Sequence, residues 1–179
     1  MLKSNLPFIP DFYDTYINQI GDTIELSSAL HEYGADFVTG EEKNFMALRD
    51  QVYAPGKWTV KDILQHVIDT ERVFAYRALR FARNDHTELA GMDQRLFAAN
   101  TNANERSVDE LLYEFSVVRQ STIFLYKSFN QEMLKREGVC FGRKTTVGAL
   151  GFTIVGHVLH HIKILKERYY PLLEGNSNL

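Results

Sequence analysis

Apolar residues recur at intervals of three and four along most of this chain, and strand-like alternation is nearly absent. Pro10-Asp11 opens a short first helix. Asp22 is placed to cap a longer one, in which Leu26, Leu30, Tyr33 and Phe37 share a face. Pro55-Gly56 then makes a turn. Thr59 caps a second main helix reaching about Arg83, with Asp62 in the capping-box position. A long connection over residues 84–104 follows and carries a turn of helix near residues 95–100. Ser107 with Glu110 is a second capping box, and the third helix it opens sets Val108, Leu111, Leu112, Phe115, Val118 and Phe129 on one side. A polar, glycine-bearing segment, residues 131–144, leads to a fourth helix that stops before Pro171. The pattern predicts an all-α fold, a four-helix bundle with a long connection between helices 2 and 3, occupying residues 1–179 as one domain.

Two charged residues break the pattern of their helices. Glu71 falls among Val60, Ile63, Val67, Phe74 and Ala78, and Arg119 falls among Val108, Leu112, Phe115, Thr122 and Tyr126. Single buried charges are too costly to keep, so the two are expected to pair across the core, either fixing helix register or anchoring a substrate carboxylate. Arg72, Arg77, Arg80 and Arg83 read instead as a mostly solvated basic face, with Tyr76 as amphipathic cover.

Composition adds mainly exclusions. The 179 residues are 45% hydrophobic and 24% charged, ordinary for a globular domain and unlike a disordered chain. One cysteine, Cys140, excludes an intramolecular disulfide framework and paired-cysteine zinc or redox motifs. A net charge of −3 gives no electrostatic reason to expect nucleic acid. Residues 145–162 carry no Asp, Glu, Lys or Arg and are long enough to cross a bilayer. However, the run holds His157, His160 and His161 and three glycines, and Lys163, Lys166 and Glu167 continue its helical pattern. It therefore reads as a buried bundle helix, not a membrane span. Residues 1–10 lack a signal-peptide pattern, so a cytoplasmic location is expected.

The histidines carry the candidate chemistry. At about 100° per residue, Val147, Leu150, Ile154, His157, His161 and Leu165 fall on one face of the fourth helix, opposite Lys163, Lys166 and Glu167. His157 and His161 thus project together from the core-facing side, one turn apart, a spacing at which two imidazoles grip one metal ion. Without a metal, each would need a buried hydrogen-bond partner, and spacing alone leaves both readings open. A third ligand must come from elsewhere; His66, beside Ile63 and Thr70 on the second helix, is the best candidate. His160 turns toward the Glu167 edge, suiting a role behind a ligand or on the surface. His31 and His86 read as a helix edge and a loop residue.

Three segments together resemble the DinB-like superfamily of small four-helix-bundle proteins, in order and over nearly the whole chain. They are Gly56-Lys57-Trp58-Thr59-Val60-Lys61-Asp62-Ile63-Leu64-Gln65-His66, the stretch from Asp69 to Arg80, and Gly156-His157-Val158-Leu159-His160-His161. The resemblance implies a divalent metal ion, nickel or zinc, held by His66, His157 and His161. Val158 stands where many relatives carry Glu, which removes an acid from that position. Relatives include thiol S-transferases, isomerases and metal-dependent hydrolases, and fold and ligands do not select among these reactions. The expectation is a metal-dependent hydrolase or S-transferase acting on a small molecule, with a low-molecular-weight thiol as one candidate partner. The rival is a metal-binding stress or interaction protein without turnover, its site structural or vestigial, which predicts a closed coordination shell or no retained metal. Asp93, in the long connection that covers the site in relatives, either orients a water or a ligand histidine or simply caps a turn. Lastly, Phe152, Val155, Leu159 and Ile162 make a second apolar strip on the fourth helix. Its cover must come from the N-terminal residues Leu6 to Ile9 with Phe12 and Tyr13, or from a second subunit. Relatives are often homodimers, so a homodimer is expected.

Overall fold

From the N-terminus, the computed structural model, described over residues 1–175, runs through four short helices before its first long one. These are α1 (Asp14–Ile17), α2 (Leu26–Glu32), α3 (Ala35–Thr39) and α4 (Glu42–Leu48). The long helix α5 (Val60–Ala82) follows, then α6 (Gln94–Ala99), α7 (Val108–Lys127) and α8 (Gln131–Lys135). An antiparallel hairpin of β1 (Glu137–Cys140) and β2 (Arg143–Thr146) leads into α9 (Val147–Ile164) and α10 (Pro171–Gly175). Reciprocal capping boxes start α5 and α7: Asp62 N donates to Thr59 Oγ1 and Thr59 N to the Asp62 carboxylate, and Ser107 and Glu110 do the same. Three long helices, α5, α7 and α9, pack with the α2–α3 segment as a four-helix bundle.

The first bundle helix is broken where the pattern predicts a continuous one. Glu25, not Asp22, precedes α2, while Asp22 pairs with Lys3 at 2.8 Å. The break falls at Gly34, where a Cβ would lie only 2.8 Å from the His31 carbonyl. The carbonyls freed there find a partner across the bundle: Arg119 Nη1 donates to Tyr33 O at 2.6 Å and to Leu30 O at 3.3 Å.

The segment 131–144 also departs from expectation, since it holds α8 and most of a β-hairpin. Phe141 and Gly142 form its turn with φ of 53° and 70°, the paired positive values of a tight hairpin turn. Leu89 hydrogen-bonds both Val139 O and Phe141 N at 2.9 Å, which pins the long connection against the hairpin. The fourth helix stops before Pro171 as expected, with Tyr170 at the turn, and Pro171 opens α10. Between α9 and α10 lies one π-helical turn, Leu165–Tyr169, in which Tyr170 N donates to Leu165 O at 3.0 Å. The turn buries Tyr169, whose hydroxyl donates to Trp58 O at 2.6 Å.

A polar layer divides the core in two. One apolar cluster gathers α1, α2, the end of α5 from Phe74, and α9 up to Val155; the other gathers α4, α5 up to Ile68, α7 up to Val118, and α9 from Val158. Glu71, Arg119, Thr122 and His157 lie at the boundary, all buried. Arg119 Nε and Nη2 donate to the two Glu71 carboxylate oxygens at 2.9 and 2.8 Å, so the expected cross-core pair forms as a bidentate bridge.

The helix run apolar enough to cross a membrane, residues 147–174, is 78% buried over its apolar window, as the central element of the bundle. Phe152, Val155 and Ile162 of its second strip are buried by the chain itself. N-terminal residues supply part of the cover, Leu6 and Tyr13 of the expected set among them, and both join the apolar cluster of Phe152 and Val155. Tyr16 lays its backbone on Gly156, and Met1 lies with Leu6 against Gly148. Leu159, the fourth residue of the strip, stays half-buried.

Candidate metal centre

α5 and α9 pack against each other and bring three imidazoles together at the polar layer. His157 Nε2 faces His66 Nε2 and His161 Nε2, each at 3.1 Å, and the three nitrogens all lie within 4.8 Å of one another. All three rings are buried. Burial, with His160 adding, pushes the His66 pKa down to about 4. Burial also holds His157 and His161 well below the ordinary imidazole range, with the neighbouring histidines adding to it. The rings are therefore neutral near pH 7.

This donor set fits a cation. A neutral imidazole nitrogen offers either one proton or one in-plane lone pair, so His157 Nε2 cannot serve two facing nitrogens well by hydrogen bonding alone. A divalent ion shared by the three lone pairs removes that conflict. The outer groups hold the rings in place. The Thr70 hydroxyl lies 3.4 Å from His66 Nδ1, Trp58 packs on His66 at 4.9 Å between ring centroids, and Tyr16 meets both His157 and His160 edge-on at 5.3 Å. His160 thus sits half-buried behind the cluster, and His31 and His86 are exposed.

His66 and His157 also line an open cavity of about 620 Å³. Its walls are aromatic, from Phe12, Tyr13, Tyr16, Phe74 and Phe141, and its charged lining is Arg77, Arg95 and Arg143 against Asp93. Asp93 Oδ1 accepts from the amides of Arg95 and Leu96 at 2.9 and 3.1 Å, capping α6. The aspartate thus has a capping role and a place on the cavity wall, and among the described residues no hydrogen bond joins it to the histidines.

Two features escaped the sequence. Arg77 is not part of a solvated basic face: it is 6% exposed, lines the cavity, and donates from Nη2 to Ala90 O at 2.9 Å. Helical phase holds the clue, since Arg77 lies eleven residues after His66, three turns and about 20° further round the same face. Tyr13 is buried beside it, with its hydroxyl 3.9 Å from Cys140 Sγ. Burial pushes the Tyr13 pKa far up, and Cys140 adds to this while Arg77 opposes it, so the phenol stays protonated. No local pattern in the sequence brings residues 13, 77 and 140 together.

The fold is a helical bundle in which three histidines that could hold a metal ion converge beside an open cavity. The family model of the DinB superfamily matches residues 46–165, and the chain belongs to that superfamily. Among solved structures it is similar to YfiT from Bacillus subtilis, described as a probable metal-dependent hydrolase with an unusual four-helix bundle topology. The TM-score is 0.70 at 16% identity, covering 86% of this chain and 92% of that one. No curated protein matches the sequence significantly.

Proposed function

We propose that this protein is a divalent-metal-dependent hydrolase acting on a small molecule, with His66, His157 and His161 as its ligand set. The observation that carries this reading is the convergence of three buried, neutral Nε2 atoms beside an open cavity. A borderline ion such as zinc or nickel suits an all-imidazole set. Such an ion supplies Lewis acidity, polarising a carbonyl and making water a stronger acid. The chain's own residues do the rest. Desolvation keeps the imidazole lone pairs free of protons, Thr70 and Trp58 orient His66, and the aromatic walls limit bulk water around the reacting group. Asp93 is the carboxylate on the cavity wall that can orient a water, through the oxygen not engaged by α6. The cavity beside His66 and His157 favours turnover over a purely structural site, because a structural site has no use for an open side.

The test is metal analysis of protein purified without a polyhistidine tag, followed by ester-hydrolysis and thiol-transfer assays with and without metal. One divalent ion per chain, lost in His157→Ala, and metal-dependent turnover are expected. Absence of stoichiometric divalent metal after loading would refute the reading.

A further inference from the structure

We propose that Arg77 and Tyr13 form a carboxylate-binding subsite in the same cavity, so that the molecule taken up there is an organic acid with an apolar body. The inference rests on the proposed metal centre only for its place in catalysis; binding of the acid is a separate property of the cavity.

The argument begins with an arginine that lacks a counter-ion. Arg119, equally buried, is met by both oxygens of Glu71 and by two carbonyls. The half-exposed Arg72, Arg80, Arg106 and Arg136 each pair with a carboxylate. Arg77 is 6% exposed, yet among the described residues no carboxylate pairs with it; its guanidinium meets only neutral partners, the Ala90 carbonyl and the Tyr13 hydroxyl. A guanidinium carries five N–H donors, and a buried charge left without a partner is costly. The side chain lines the cavity, where an incoming anion can supply the missing partner.

Tyr13 adds a second donor. Its hydroxyl is buried between the Arg77 guanidinium, which can only donate to it, and a sulfur at 3.9 Å, a weak acceptor that leaves the O–H available to a better one. Both groups surround one ring. Phe74 meets Tyr13 edge-on at 5.5 Å, lies under the Arg77 guanidinium at 5.7 Å, and meets His157 at 6.4 Å. Phe74 thus stands between the two donors and the histidines. A ligand whose carboxylate meets Arg77 and Tyr13 lays its apolar part along Phe74 and directs its far end toward His66 and His157. Arg143, stacked over Phe12 at 4.5 Å and exposed, adds positive charge to the same cavity.

The test uses the full chain stripped of metal with a chelator, so that a carboxylate has no ion to ligate. Calorimetric titration compares 3-phenylpropanoate with its neutral isostere, 3-phenylpropanamide. The acid is expected to bind at least about tenfold more tightly, the usual effect of a hydrogen-bonded charge. Arg77→Gln is expected to erase that preference and Tyr13→Phe to reduce it, both with unchanged zinc stoichiometry on reloading. Equal affinity of acid and amide, no binding of the acid, or a preference that survives in folded Arg77→Gln would overturn the proposal. The comparison on the unaltered protein needs no variant, and Arg77→Lys keeps a cation there should the glutamine variant be unstable. Acid preference without metal binding would refute the metal centre alone; stoichiometric metal without acid preference would refute the subsite alone.

Discussion

Arg119 is 1% exposed and does two jobs with one guanidinium: it neutralises Glu71 and closes the C-terminal end of α2. Arg119→Met should therefore cost about 3–5 kcal/mol in denaturant unfolding, the usual range for stranding a buried partner charge. Adding Glu71→Gln should recover only part of this, because the Leu30 and Tyr33 carbonyls still lack their donor. Full recovery would show that the capping contact contributes nothing. The histidines make a second prediction at this scale. In the metal-free protein His66 protonates near pH 4, against an ordinary value of 6.5, so between those values the unfolded chain holds more protons. The resulting stability is fully present above about pH 6.5 and is lost as the pH falls toward 4, with His157 and His161 acting in the same direction. Unfolding curves of metal-free protein across that range should show the decline, and a flat profile would contradict the burial argument. Glu71, Arg119 and the histidine face were legible in the sequence because each breaks or follows one helix's phase. Arg77 was not, because neighbouring arginines at 72, 80 and 83 suggested a common solvated face.

Among the elements, α1 has only four residues and depends on what lies beneath it. A Cβ on Gly156 would come within 2.1 Å of the Tyr16 carbonyl oxygen, a backbone atom that cannot rotate away. Gly156→Ala should lift α1 from α9, lower stability by about 1–3 kcal/mol, and loosen Tyr16 against His157. Thermal melts and the fluorescence of the cavity aromatics would report both changes. The two capping boxes were readable from Thr59, Asp62, Ser107 and Glu110 because the motif is local. The break at Gly34 was not, because the donor that satisfies the freed carbonyls is eighty-five residues further on. The hairpin hid for a related reason: its strands have four residues each, and part of their burial comes from contact with Phe81 and Leu89 instead of from alternation.

For the whole molecule, the polar layer between two apolar clusters is the place where a metal held by the three histidines would act on global stability. An ion that binds only the folded state at a hundred times its Kd adds about 2.7 kcal/mol, so zinc or nickel should raise Tm by roughly 5–10 °C. The shift should vanish in His66→Ala and reverse with chelator; an equal shift in that variant would place the ion elsewhere. The bundle itself was legible because long helical periodicity survives without tertiary information, whereas the cavity arises from residues spread between Phe12 and His157. The π-helical turn carries a consequence for inheritance. It holds one residue more than an α-helical turn, and the superfamily match ends at its first residue, Leu165. Deleting Lys166 would restore the ordinary register and swing Tyr169 about 100° away from the Trp58 carbonyl, unseating the indole that packs on His66. Across homologues, an extra residue after the last histidine should therefore travel with a tryptophan at the position of Trp58, and lineages that lost one should be free to lose the other.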